Sequence, residues 1–382
     1  MTLKTICQLI QGNIEPADAP DMDWDTIVAE ARRQGVAPLI YWRLAQDGQL
    51  KNIPEAAQNA LREAYATTWM NNQRILSELS TLARLFQQAD IPAVVLKGAC
   101  FVLTLYPDIG LRPMSDLDIM VPKARVTEAV QIAAGLGYLD AAPEAVPGMN
   151  ARVNHHVWLQ KPDAPAHLLE IHYSLVADQG FTFAVPVDWF WEQAQPIEAK
   201  LQQEYPALLM LSAEAQILYA AAHATLQHGF KETPLRWFYD FDRLARRYSH
   251  QIDWQALIEQ AQHLEWGSAL GAYAAETVKY FETPIPINIQ ETLAGLSDRH
   301  SHLVQSQKQA AATQTLSELQ AIAKLQGVEK LSKLIALLTP TPAYMRWRYG
   351  LEKNWQLPAA YLRRWAGIAQ DGLRTLAALL KR

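Results

Sequence analysis

The stretch RPMSDLDIMVP, residues 112–122, sets Asp116 and Asp118 two apart, directly before the apolar run Ile119, Met120 and Val121. In a β-strand, residues i and i+2 point to the same face. The stretch therefore predicts a buried strand carrying two carboxylates side by side, an arrangement that is costly unless something neutralises them. Just upstream, AVVLK (93–97) is a short β-branched run between Pro92 and Gly98, which predicts a second buried strand. ACFVLTLY then reads as a helix packed over that strand. PDIGLRP, with two prolines and a glycine, reads as a loop.

The pattern extends outward from this unit. In NNQRILSELSTLARLFQQAD, Ile75, Leu79, Leu82 and Phe86 fall at i, i+4, i+7 and i+11, a helix with one buried stripe, and the first 90 residues read as helical. KARVTEAVQIAAGLGY predicts a helix ending near Gly135 or Gly137. NHHVWLQ and HLLEIHYSL predict two strands on either side of the turn KPDAPA. From about residue 200 the pattern returns to helix, in SAEAQILYAAAHATLQHGF, with Ser212 as a capping candidate, and in PLRWFYDFDRLARRY. The fold class expected is α+β: a small mixed-sheet core over 69–200, with an N-terminal helical region at 1–68 and a C-terminal helical domain at 201–382.

Of the 382 residues, 50% are hydrophobic and 19% charged, an ordinary soluble globular composition. The formal net charge of −5 disfavours nucleic acid as the main partner. Cys7 and Cys100 show no paired spacing, so neither a disulfide framework nor a cysteine-rich zinc site is expected. The N-terminal stretch does not read as a secretory signal, and no run approaches the roughly 20 apolar residues of a membrane span. The expectation is a soluble, cytoplasmic protein. Residues 341–382 hold eight Lys/Arg against Glu352 and Asp371, a local net of +6. With Trp347, Trp355, Trp365, Arg363 and Arg364, this tail reads either as an anionic surface contact or as an amphipathic helix closing the helical domain.

A third acid, Glu170, lies among Leu168, Leu169 and Ile171 in a strand-like run. Two neighbouring strands would bring Asp116, Asp118 and Glu170 to one sheet edge. Oxygen ligands of this kind suit Mg²⁺, and two such ions between an attacking hydroxyl and a nucleotide phosphate make a two-metal phosphoryl-transfer site. His155, His156, His167 and His172 are grouped, but without HExxH or cysteine–histidine spacing, so the pattern does not signal zinc.

VLKGACFVLTLYPDIGLRPMSDLDIMV followed by LLEIHYSL resembles the uncharacterised nucleotidyltransferase family of the DNA polymerase beta-like superfamily. The resemblance rests on Lys97 and Gly98 at the turn, Tyr106 before the loop, Arg112, Asp116 and Asp118 on a strand, then Glu170 before His172. It covers roughly residues 70–245, including HATLQHGFKETPLRWFYDFDRL. It implies Mg²⁺-dependent transfer of a nucleoside monophosphate from an NTP, ATP by default, to an unknown acceptor: a small molecule, a protein or an RNA. Pyrophosphate would leave. Asp116, Asp118 and Glu170 would be the catalytic metal ligands for two Mg²⁺ ions, with Mn²⁺ as a substitute, and Glu170 on the nucleophile side. Lys97, Gly98, Arg112, Ser115, His172 and Arg236 would form the nucleotide side. Ala99 stands where the wider superfamily has Ser or Gly, which removes a phosphate-binding hydroxyl. The alternative is a catalytically degenerate fold kept as a nucleotide-binding or interaction module. Lys97 and Arg112 could instead pair with Asp108 or Asp116. Arg236 either pairs with Asp240 along its helix or lines the cleft with Trp237, and His223 makes an interhelix hydrogen bond or marks a ligand pocket.

Overall fold

The computed structural model describes residues 2–18, 22–141, 143, 145, 155–162, 164–176, 187–228, 230, 233–301, 304 and 327–380. His167 as a side chain, part of the KPDAPA turn, and the basic residues Lys381 and Arg382 lie outside the described residues.

Four helices lead: α1 (Thr2–Gln11), α2 (Trp24–Arg33), α3 (Ala37–Gln46) and α4 (Glu55–Gln88). The helix expected from residue 71 begins 16 residues earlier. Glu55 follows Pro54, and no breaker intervenes before Asp90, whose φ of +53° ends the run. Then come β1 (Ala93–Val95), α5 (Lys97–Thr104), β2 (Asp116–Met120), α6 (Val126–Gly135), β3 (Leu139–Asp140), β4 (His156–Lys161) and β5 (Ala164–His172). After α7 (Asp188–Glu192) the chain adds β6 (Ala194–Pro196) and β7 (Leu208–Leu211). The helices α8 (Ala213–Ala222), α9 (Leu235–Arg247), α10 (Trp254–His263), α11 (Gly267–Phe281) and α12 (Ile287–Ala294) follow. The last are α13 (Gly327–Leu338), α14 (Pro342–Tyr349) and α15 (Leu357–Leu380).

The seven strands form one mixed sheet in the order β3-β4-β5-β2-β1-β7-β6. β2 runs parallel to β5, and β1 parallel to β7, while β1 and β2 are antiparallel. The return to helix expected from residue 200 is corrected here: Leu208–Leu211 is an interior strand beside β1, so the sheet continues past residue 200. Four consecutive apolar residues carry no period that separates strand from helix. Ser212 does cap the next helix, its hydroxyl accepting from the Ala215 amide.

Alternation along the strands sends side chains into two cores. Ala93, Val95, Leu117, Ile119, Leu169, Ile171, Leu208 and Met210 face the second half of α4 and α6. Val94, Leu96, Met120 and Leu211 face a larger core shared by α1–α3 and α8–α12. The same alternation puts Asp116, Asp118, Glu170 and His172 on the second face, beneath the helices that follow β7. Among the described residues no helix is long and apolar enough to cross a membrane. In the tail, Trp355 is exposed, while Arg363 and Arg364 stack on Tyr349 and Tyr344 with guanidinium-to-centroid distances of 5.9 and 5.8 Å.

Candidate active site

The loop entering β2 is fastened to α4. Asn72 donates to the carbonyls of Ile109 and Arg112, Asn71 to that of Met114, and the Tyr65 hydroxyl to Asp108. This fixes where β2 starts and hence which face its acids take. In the β2–β5 register Asp118 lies opposite Glu170, and Met120 opposite His172. Across β5, Trp158 lies opposite Glu170 and His156 opposite His172. Asp118, Glu170 and Trp158 thus form a row over three strands, with the Trp158 indole donating to Glu170 Oε1 at 2.7 Å.

A lysine and a histidine meet these acids. Lys97 Nζ lies 2.9 Å from Asp118 Oδ1, and His172 Nε2 lies 2.8 Å from the same oxygen and 3.2 Å from Glu170 Oε2. Lys97 opens α5 with a φ of +40°, a backbone state non-glycine residues seldom adopt, and it aims the ammonium at the sheet face. Burial opposes the charge on Asp118, but Lys97 and His172 outweigh it and hold the carboxyl well below its usual range. Burial likewise opposes charge on Lys97 and His172, and the carboxylates hold both above their ordinary values. Asp116 differs: burial and the neighbouring Asp118 charge push it up to about 6, against the pull of Lys97. Three carboxylates face Lys97 and His172, and the negative charge these two leave unmet falls on Asp116.

The roof comes from α8, α9 and a π-helical turn, His223–Gln227. Such turns are rare and recur at functional sites. Closure of the His228 amide onto the His223 carbonyl sets these two rings 4.4 Å apart. His223 Nε2 lies 3.2 Å from Lys97 Nζ, and Trp237 stands 4.9 Å from the His223 ring. Burial, then Lys97 and His228, hold His223 well below its ordinary value, so it is neutral and accepts from Lys97. The expected interhelix role of His223 is thus filled by a contact to the sheet-side lysine, with Trp237 in the cleft beside it.

Arg112 and Arg236 take unequal parts. Arg112 forks onto Asp240 through Nε and Nη2, at 2.8–3.1 Å, and the Tyr106 hydroxyl donates to the same carboxylate. Its pairing with Asp108 or Asp116 is therefore replaced by one with α9. Gly98 is required by this pair, because a Cβ there would come within 2.7 Å of Arg112 Nη1. The expected Arg236–Asp240 helix pair is absent among the described residues, since Arg112 holds Asp240. Arg236 lies over Gly35 instead, at a φ of +69° where a Cβ would meet the arginine at 2.7 Å, and its buried Nε has no hydrogen-bond partner. The turn beneath it is tied to α9: Gln34 accepts from the Leu235 amide through its side chain and from the Arg236 amide through its carbonyl.

Of the residues singled out from the sequence, Lys97, Asp118, Glu170 and His172 are in direct contact, and Asp116 shares their face. Ser115 is exposed at the residue before β2. Sequence reasoning missed the convergence of His155 and His156 on His172, and the Trp158 bond to Glu170. The only signal was their alternation in NHHVWLQ against EIH. Ligand atoms of Asp118, Glu170 and His172, all buried, lie within 4.8 Å of one another, a span one cation can bridge. Together with the surplus charge on Asp116, this donor set fits a divalent ion.

Residues 20–282 match the model of the uncharacterised nucleotidyltransferase family, well over half of the chain. The chain belongs to this family. In this nucleotidyltransferase-family chain the match runs from α2 through the whole sheet to the end of α11, so the acidic face and its roof both lie within it, and α12–α15 lie beyond. No curated protein matches the chain as a relative.

Proposed function

We propose that this chain moves a nucleoside monophosphate from a nucleoside triphosphate to an acceptor nucleophile, with pyrophosphate leaving. One observation carries the reading: Asp118 and Glu170 stand opposite each other on neighbouring parallel strands, with Asp116 on the same face. Asp116, Asp118 and Glu170 would hold Mg²⁺, or Mn²⁺ in its place. A bound divalent ion supplies charge neutralisation at the phosphates and acidifies an acceptor hydroxyl. The remaining work belongs to the chain. Lys97 sits at the floor to meet phosphate oxygens. Arg236, with its unpartnered Nε, supplies a second cation. Glu170 takes the acceptor proton on Oε2, while the Trp158 indole fixes its other oxygen. Arg112 acts through Asp240, holding α9 over the cleft. Trp237 offers an aromatic wall for the base, and ATP is the donor to try first. The basic tail gives an anionic acceptor or surface a place to touch.

A second reading has its own observation. Asp118 Oδ1 already receives both Lys97 and His172, so the acid is held without any added cation. A fold kept only as a nucleotide-binding module would look the same. One measurement separates them: thermal stability of wild type and of Asp116→Ala/Asp118→Ala with each NTP, with and without Mg²⁺, followed by pyrophosphate release. Transfer predicts a metal-dependent rise for at least one NTP in wild type alone, about 2.7 kcal/mol at a hundredfold excess over Kd. A shift that survives the double substitution, or no shift with any NTP, overturns the transfer reading.

A further inference from the structure

Beside the acidic row lies a histidine cluster that shares only its edge, His172 and Glu170, with the site described above. His155 precedes β4 and is clamped there, its carbonyl accepting from the amides of Tyr173 and Ser174 just past β5. His156 begins β4 opposite His172. The rings of His155, His156 and His172 lie 4.0–5.4 Å apart, centre to centre. One nitrogen of each falls within 4.8 Å of the others. Glu170 Oε2 reaches the same edge.

We propose that His155, His156 and His172, with Glu170 at their edge, form a nitrogen-rich binding site for a first-row transition dication of the Zn²⁺ or Co²⁺ kind, which Mg²⁺ does not fill. The spacing agrees with this. Donor pairs stand 2.8 Å apart (His155 Nε2 to His156 Nδ1), 3.2 Å (His172 Nε2 to Glu170 Oε2) and 3.9 Å (His156 Nδ1 to Glu170 Oε2). A tetrahedral ion with bonds of 2.0–2.1 Å keeps its donors about 3.3 Å apart, so the three imidazole donors, all within 4.8 Å of one another, close on one ion with shifts of up to about 1.5 Å. Three imidazoles and one carboxylate suit zinc-like ions, whereas Mg²⁺ takes oxygen ligands and water.

Hydrogen bonding alone does not satisfy the cluster. His155 Nε2 has two nitrogen neighbours, His156 Nδ1 at 2.8 Å and Gln227 Nε2 at 3.1 Å. A neutral imidazole nitrogen offers one lone pair or one hydrogen, not both. Gln227 Oε1 is buried with no partner. Turning the amide over would let that oxygen accept from a His155 Nε2–H but would put the Gln227 NH₂ group where no partner stands. In either arrangement one buried polar atom goes unpaired, at a cost. An ion that takes the three imidazole lone pairs, with His172 giving up the proton it shares with Asp118, resolves the conflict at His155 and frees the Gln227 amide to bond elsewhere.

The test uses untagged full-length protein stripped with chelator and titrated with Co²⁺, read by visible absorption. The expected result is one equivalent bound with the d–d bands of a tetrahedral site, displaced by Zn²⁺ and unmoved by a hundredfold excess of Mg²⁺. In His155→Ala/His156→Ala, checked for a native circular dichroism spectrum, affinity should fall by more than the roughly 10–100-fold that loss of an outer-sphere hydrogen-bond partner costs. Wild type without d–d bands overturns the proposal whatever the variant does, and so do bands that the double substitution leaves intact. The same preparation is assayed for nucleotide stabilisation with Mg²⁺. A cobalt site without a nucleotide shift supports this inference and sinks nucleotidyl transfer. A nucleotide shift without a cobalt site does the reverse.

Discussion

Asp118 Oδ1 takes hydrogen bonds from Lys97 and His172 while the residue is only 2% exposed, so its charge depends on those two groups. Removing one partner of a buried pair leaves an uncompensated charge and costs about 3–5 kcal/mol. Lys97→Met should therefore lose stability of that order in chelator, read as a lower urea midpoint, and Mg²⁺ should recover part of it. An equal loss with and without Mg²⁺ would argue that no cation reaches Asp118. Asp116 makes the pH prediction. Its folded value of about 6 lies above the ordinary 3.8, so the folded state prefers the protonated acid. That preference stabilises the fold fully below about pH 4 and is lost as pH rises through about 6. In chelator, wild type should lose up to about 3 kcal/mol relative to Asp116→Asn between pH 4 and 7. A flat difference across that range would remove the surplus-charge argument. The acids were legible at this scale because a carboxylate set inside an apolar run is costly unless a cation or a donor meets it. His155 and His156 were not, since nothing local says that two adjacent histidines will both turn toward a third.

At the scale of elements, α9 is held over the cleft by Asp240, which receives the Arg112 fork and the Tyr106 hydroxyl, all three buried. Asp240→Ala should destabilise the chain by about 3–5 kcal/mol. Tyr106→Phe, which removes one donor and leaves the ion pair, should cost about 1–2 kcal/mol. Chemical denaturation of the two variants checks the ranking, and equal losses would place the stability in the Tyr106 hydroxyl's hydrogen bond instead of the ion pair. The spacing of Arg236 and Asp240 showed that they share a helix face. It could not show that Arg112, from a loop 128 residues away, makes the stronger bond, because i,i+4 periodicity carries no information about partners on other elements. β7 was hidden for a related reason. LLML is too short to show a period, and its strand state is set by pairing with β1 and β6. The long, strongly patterned parts of the chain, α4 and β2 above all, could be read because local preference and tertiary burial agree there.

Across the whole molecule, the sheet divides two cores that depend on different parts of the chain. The face bearing Val94, Met120 and the acids is covered by α1–α3 together with α8–α12, and Gln11 donates to the Phe281 carbonyl across 270 residues. The opposite face is closed by α4 and α6, which are local in sequence. Residues 69–200 would therefore keep one core and lose the other. They would also lose β7, leaving one edge of β1 without its ladder and the buried Asp118, Glu170 and His172 open to water. Exposed apolar strand faces and unpaired edges favour association over folding. A fragment of 69–200 should show no cooperative thermal transition and should aggregate, while residues 1–304, which restore α1 and keep α12, should melt cooperatively because they retain both cores. Light scattering and circular dichroism on the two fragments decide the matter. A monomeric, cooperatively melting 69–200 would mean that the helical cover contributes to the site and not to the fold.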